Sequence, residues 1–193
     1  MTDETSVAAP DGGSANEYEV RSARWRDLGE VFRTYRAQTE ANRLFYHPFP
    51  FDRVRLALLL AGFVVTRPLV RRTVQWAPRE SALLVVARDR SDGALAGFGS
   101  VNFRWADGQG LVARTGLYVS EAHRRRGIGG RLEQEMVRMA RSLGARRAEA
   151  LIREANVGSV GMYRSLGYRI GPSDIRDRKP PREMFLLAEK ELP

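Results

Sequence analysis

"HRRRGIGGRL", residues 123–132, sets three consecutive arginines against three glycines and then runs into apolar residues at helical spacing. Upstream, "LVARTGLYVS" (Leu111–Ser120) reads as a β-strand. Downstream, Ile128, Leu132, Met136, Met139 and Leu143 share one helical face, and Gly144 is placed to end the helix. The stretch is a bend between strand and helix, where the first helical N–H groups have no intrahelical partner. Glycines at Gly127, Gly129 and Gly130 remove the Cβ atoms that would keep a ligand off the backbone. The helix dipole favours an anion there by roughly 0.3–1 kcal/mol when exposed and up to ~2 kcal/mol when partly buried. Arg124, Arg125, Arg126 and Arg131 add fixed charge. This is the chemistry of a diphosphate cradle; taken alone, the bend also fits a solvated basic loop.

Two familiar phosphate motifs are excluded. A P-loop ends in Gly-Lys-Ser/Thr, whereas Gly129 is followed by Gly130 and Arg131. A dinucleotide fingerprint needs a third glycine where Leu132 stands, and it needs a parallel βαβ setting. The preceding sequence instead predicts an antiparallel meander: strands Ser81–Asp89, Ala94–Trp105 and Leu111–Ser120, joined by turns at Ser91–Gly93 and Ala106–Gly110.

Further out, Glu17–Ser22 alternates like a strand, and Leu28, Val31, Phe32 and Tyr35 follow at helical spacing. Pro48 and Pro50 break any helix in "FYHPFPF" (Phe45–Phe51), and a second helical region runs from about Asp52 towards Arg72, interrupted near Pro68. After the helix at Gly127 come a short buried strand, Ala148–Ile152, and a helix over Asn156–Gly167 with an asparagine cap. "YRI" and "REMFLLAE" close the sheet around a polar loop, Gly171–Pro181. The order predicts one α+β domain over residues 17–191, behind a disordered tail at 1–16 rich in Ser, Gly, Asp and Ala.

Composition narrows the chemistry. The chain has 193 residues, 43% of them hydrophobic and 28% charged, as in an ordinary globular domain. With no cysteine and only His47 and His123, neither a thiolate nucleophile nor a metal cage is expected. The net charge of +9 is almost all arginine, since Lys179 and Lys190 are the only lysines. That bias fits either a GC-rich genome or a preference for anionic partners. The N-terminus lacks a basic leader, and the apolar run Leu56–Val65 is too short to span a bilayer and reads as a buried helix, so a cytoplasmic protein without membrane contact is expected.

Arg124-Arg125-Arg126-Gly127-Ile128-Gly129 resembles, in register, the Arg/Gln-x-x-Gly-x-Gly/Ala signature of the GCN5-related N-acetyltransferases (GNAT). "LYVSEAHR" is similar to that family's "LYVxPxxR", with Glu121 where proline is common, and Asn156, Tyr163, Gly167 and Tyr168 fall on its second hallmark. The likeness covers about Ser81–Ile170 and is weaker over Glu17–Arg72. It implies a mixed, mostly antiparallel, twisted and splayed sheet flanked by helices, with acetyl-CoA as co-substrate and no metal. The backbone at Tyr118 and Val119 would hydrogen-bond the pantetheine arm. The amides from Arg125 through Gly127, Ile128, Gly129 and Gly130 would hold the pyrophosphate, with Arg124 and Arg126 beside them. Asn156 would contact the arm or its bound water, Val119 N–H would stabilise the oxyanion, and Tyr163 would protonate the leaving thiolate.

The resemblance places no carboxylate at the family's usual general-base positions: Arg114-Thr115 and Ala150-Leu151 stand there. Glu121, Glu149 and Glu154 read as solvated charges, His123 as exposed, and His47 as a surface or packed residue in a loop that lines the acceptor site in relatives. A water chain is then the expected route for the amine's proton. The acceptor is expected to be a small-molecule primary amine such as an amino acid or amino sugar. A protein or peptide acetyltransferase and a non-catalytic acyl-CoA-binding module are the alternatives. Nucleic acid is not an expected partner, since no aromatics interleave the arginines. Homodimers are common in the family, which makes a homodimer a candidate assembly.

Overall fold

Apolar residues on both faces of the central strands require a layer of helix on each side. The computed structural model describes residues 17–38, 54, 57, 58, 60–62, 72, 74, 82–108, 110–176 and 184–193. Seven strands form one sheet: β1 (Tyr18–Ser22), β2 (Ala82–Asp89), β3 (Leu95–Ala106), β4 (Gly110–Val119), β5 (Arg147–Arg153), β6 (Arg169–Arg176) and β7 (Met184–Glu191). Their order is β1-β2-β3-β4-β5-β7-β6. Every pairing is antiparallel except β4 with β5.

In β2, Leu83, Val85 and Ala87 join the core beneath α2 (Ile128–Ser142), while Leu84 and Val86 turn to the opposite face, beneath α1 (Trp25–Arg36). From α2, Ile128, Leu132, Met136 and Ala140 are buried; Met139 and Leu143, expected on that face, pack at its margin. A third helix, α3 (Val157–Ser165), begins at Asn156, whose side chain accepts a hydrogen bond from Ser159 N–H at 3.1 Å.

Among the described residues the expected strands and helices are present, with three corrections. β6 runs to Arg176 through what reads as a loop from Gly171, because β6 is an edge strand and the irregularity between Pro172 and Arg176 absorbs the missing donor. A 3-10 turn, Glu121–His123, precedes the bend. In the run Leu56–Val65, expected to be buried, Leu60 is buried but Leu58 is 69% exposed. The tail at 1–16, the loop Phe45–Phe51 with His47, and most of the second helical region lie outside the described residues. No described helix is long and apolar enough to cross a membrane.

The N-terminal strand and helix are locked to the sheet by Asp27, which is fully buried. It accepts from Arg21 (2.7 and 3.0 Å), from Arg88 Nε (2.8 Å) and from Arg24 N–H (2.6 Å). Burial works against the ionised form, but these donors outweigh it and hold the carboxyl down at about 2. A carboxyl held below its unfolded value stabilises the fold above about pH 4 and loses that contribution as pH falls towards 2. Asp27→Asn should therefore lower unfolding free energy by about 2–3 kcal/mol at pH 7, with the deficit shrinking between pH 4 and pH 2 in urea titrations.

Candidate active site

β4 and β5 pair over only three residue pairs, ending at Arg114 with Glu149. Beyond them the strands part, and a cleft of about 560 Å³ opens between Thr115–Val119 on one side and Leu151, Ile152 and α3 on the other. Ser120 N–H donates to Ala96 O of β3 at 3.0 Å. Because amides alternate along a strand, Tyr118 also turns its N–H to β3, whereas Leu117 and Val119 turn theirs to the cleft. Arg124 Nε donates to the outward carbonyl of Val119 at 3.2 Å, in keeping with that alternation. The open-edge donors are thus Leu117 and Val119. Tyr118 contributes its side chain to the lining, packed on Phe98 with ring centroids 5.5 Å apart.

At the cleft's other end the chain enters α2. Arg125 (φ 62°) and Gly127 (φ 74°) are both left-handed, a conformation that costs a side chain about 1–2 kcal/mol and that glycine adopts freely. No side chain caps the helix, and its ladder starts with Arg131 N–H to Gly127 O at 3.2 Å. The N–H groups of Ile128, Gly129 and Gly130 therefore precede the ladder and lie in the cleft lining. Two of these glycines also meet protein neighbours. A Cβ at Gly129 would come within 2.9 Å of Met162 Sδ on α3, so its smallness brings two helices together; a Cβ at Gly130 would meet only ordinary contact with Leu166.

The arginines also divide. Arg124 and Arg125 line the cleft. Arg126 donates to Tyr18 Oη (3.2 Å) and Arg131 to Tyr18 O (2.9 Å), tying the bend to β1. His123 is a correction: its side chain is only 19% exposed, with Nδ1 2.8 Å from Ser120 Oγ and the ring edge-on to Tyr18.

Asn156 and Tyr163 both line the cleft, so the two halves of the sequence pattern meet there. Tyr163 is buried and sits 5.0 Å from the Tyr168 ring, edge-on. Its hydroxyl lies 3.3 Å from Oε2 of Glu133, a fully buried residue of α2 that the sequence reading passed over. The other oxygen, Oε1, takes the Tyr168 hydroxyl and Thr115 Oγ1 at 2.9 Å. Burial pushes the Glu133 carboxyl above its ordinary range, against the pull of these hydroxyls and of Lys190. The available signal was its place at i, i+3, i+4 and i+7 with Met136, Val137 and Ala140, which puts it on the apolar stripe.

Glu149 is a second correction. It is not solvated but 1% exposed, because β5 is covered on both faces. Arg104 (2.8 Å), Arg147 (2.7 Å) and Arg114 (3.4 Å) surround it. Burial opposes its ionised form, yet these cations hold its carboxyl below the ordinary value, which leaves it an ion-pair anchor at the last β4–β5 pair. Glu121 and Glu154 are exposed, as expected.

The fold is shared with solved acetyltransferases. A ribosomal-protein-S5-alanine acetyltransferase from Vibrio fischeri is 14% identical, with a TM-score of 0.71 over 91% of this chain and 93% of its own. A GCN5-related N-acetyltransferase from Kribbella flavida is 20% identical, with a TM-score of 0.66 over 91% and 98%. A phosphinothricin acetyltransferase from Sinorhizobium meliloti, solved in complex with AcCoA, is 20% identical, with a TM-score of 0.63 over 91% and 89%. No curated protein sequence matches the chain. The profile of the acetyltransferase (GNAT) family matches residues 30–168, well over half of the sequence. The strand gap, the uncapped helix and that match agree: the chain belongs to the GNAT family and is an acyltransferase.

Proposed function

We propose that this protein moves an acetyl group from acetyl-CoA to a primary amine of a small molecule, by direct attack of the amine in a ternary complex. The observation that carries the reading is the continuous cleft from the open α2 amides to Tyr163. Its donors suit acetyl-CoA in both parts. The N–H groups of Ile128, Gly129 and Gly130, with Arg124 and Arg125, match a diphosphate. The outward amides of Leu117 and Val119 match an extended, amide-bearing arm laid along β4 as an added strand. Asn156 would meet that arm at the α3 end while capping its own helix. When bound, the co-substrate supplies an activated acyl carbon.

The protein's own groups supply the rest. Val119 N–H is placed to donate to the oxyanion that develops on the carbonyl. Tyr163 gives its proton to sulfur as the carbon–sulfur bond breaks with its electron pair. The carbon–nitrogen bond forms as the amine loses a proton to water, which restores the phenol. A small acceptor is favoured over a polycationic one because a net charge of +9 repels polyamines and basic protein tails.

An amine-library screen that follows free CoA thiol tests this directly, and the chain's lack of cysteine keeps its own thiols out of the signal. Thiol release with amino acids or amino sugars is the expected result. Release only with peptide N-termini would make the protein a peptide acetyltransferase, and none at all would make it a binding module. Tyr163→Phe should lower kcat about 10- to 100-fold with acetyl-CoA affinity nearly unchanged; wild-type turnover would reduce Tyr163 to packing. Gly127→Val, at a left-handed position with open space around its Cβ, should weaken acetyl-CoA binding about 10-fold or more in calorimetry. Circular dichroism should still report a folded chain.

A further inference from the structure

Glu133 is a whole carboxyl group with no described cation beside it. Thr115 from β4, Tyr163 from α3, and Tyr168 between α3 and β6 present hydroxyls to it, while Lys190 from β7 acts from further off. Lys190 Nζ instead donates to Leu166 O at 2.6 Å and lies 5.8 Å over the Tyr168 ring. The carboxyl's two oxygens are used unequally. Oε1 faces two hydroxyls, the full complement of a carbonyl oxygen with two lone pairs. Among the described residues, Oε2 faces only Tyr163, at 3.3 Å.

A phenol has one proton and accepts through its oxygen. Were Glu133 ionised, Tyr163 would donate to it, and the tyrosine's proton would point away from the cleft. We propose that Glu133 is a positioning residue whose protonated Oε2 donates to Tyr163 Oη, so that the phenol's own proton is turned into the cleft. Resting on the assignment of Tyr163 as the acid, this explains how a buried tyrosine has a proton to give. The two hydroxyls on Oε1 hold the carboxyl in the orientation that sends Oε2–H to Tyr163. Burial favours the same form, since an unpaired carboxylate in the core is costly and the group neutralises instead.

The active form is then the protonated one, present below the raised value of Glu133 and lost as pH rises through it. Infrared spectroscopy of the full chain at pH 7 reads the state without any ligand. The carbonyl band of a protonated acid should disappear in Glu133→Gln and should shift in Tyr163→Phe, where Oε2–H loses its acceptor. With acetyl-CoA and the amine that releases most thiol, Glu133→Gln, whose amide N–H donates at every pH, should flatten a tenfold alkaline fall in wild-type kcat. No acid band lost in Glu133→Gln, or a band indifferent to Tyr163→Phe, would overturn the proposal, as would an alkaline limb that survives Glu133→Gln. Wild-type turnover in Tyr163→Phe would instead overturn the role of Tyr163, with the infrared result standing.

Discussion

The separation of β4 from β5 after Arg114 and Glu149 is the constraint from which the site follows. A strand in mid-sheet has its amides taken on both sides; here β4 keeps β3 along its whole length and loses β5 after three pairs. That leaves the N–H groups of Leu117 and Val119 facing an opening, while Arg124 takes the Val119 carbonyl. Thr115 stands at the fork, with Oγ1 2.9 Å from Glu133 and 3.4 Å from Glu149 O. The same side chain therefore marks both the last contact between the strands and the first polar group of the cleft.

Around that gap, the arginines divide by partner. Arg124 and Arg125 face the cleft, while Arg126 and Arg131 bind Tyr18. At the last β4–β5 pair, Arg104, Arg114 and Arg147 converge on Glu149, and Arg147 also meets Glu189. On the opposite side of the sheet, Glu133 is answered by hydroxyls instead of cations. One buried carboxyl is held ionised by guanidinium groups, and the other is pushed towards its neutral form by burial. Two glutamates in one core thus have opposite protonation tendencies because their neighbours differ.

The sequence made the meander, the bend and both helices around it readable because each is governed by local chemistry: alternation in β2–β4, an apolar stripe in α2, an Asn cap for α3. It did not reveal β6 beyond Ile170, since Gly171 and Pro172 signal a turn and only an edge position makes them tolerable in a strand. Glu133 and Glu149 were hidden for a shared reason. Even within a buried strand or on an apolar helical stripe, a glutamate reads by type as solvated, and its burial depends on which distant side chains answer it: Tyr163 and Tyr168 for one, Arg104 and Arg114 for the other. The division of labour among Gly127, Gly129 and Gly130 was equally invisible, because Met162 meets Gly129 only once α3 is docked.

The central claim is that main-chain amides at the start of α2 grip the diphosphate of the acyl carrier. Amide chemical shifts measured during titration with acetyl-CoA, and in parallel with acetyl-pantetheine lacking the adenosine diphosphate, test it most directly. The N–H signals of Arg125 through Gly130 should move strongly with the first ligand and hardly at all with the second, while those of Leu117 and Val119 respond to both. Equal responses at the helix start to both ligands, or none to either, would contradict the account.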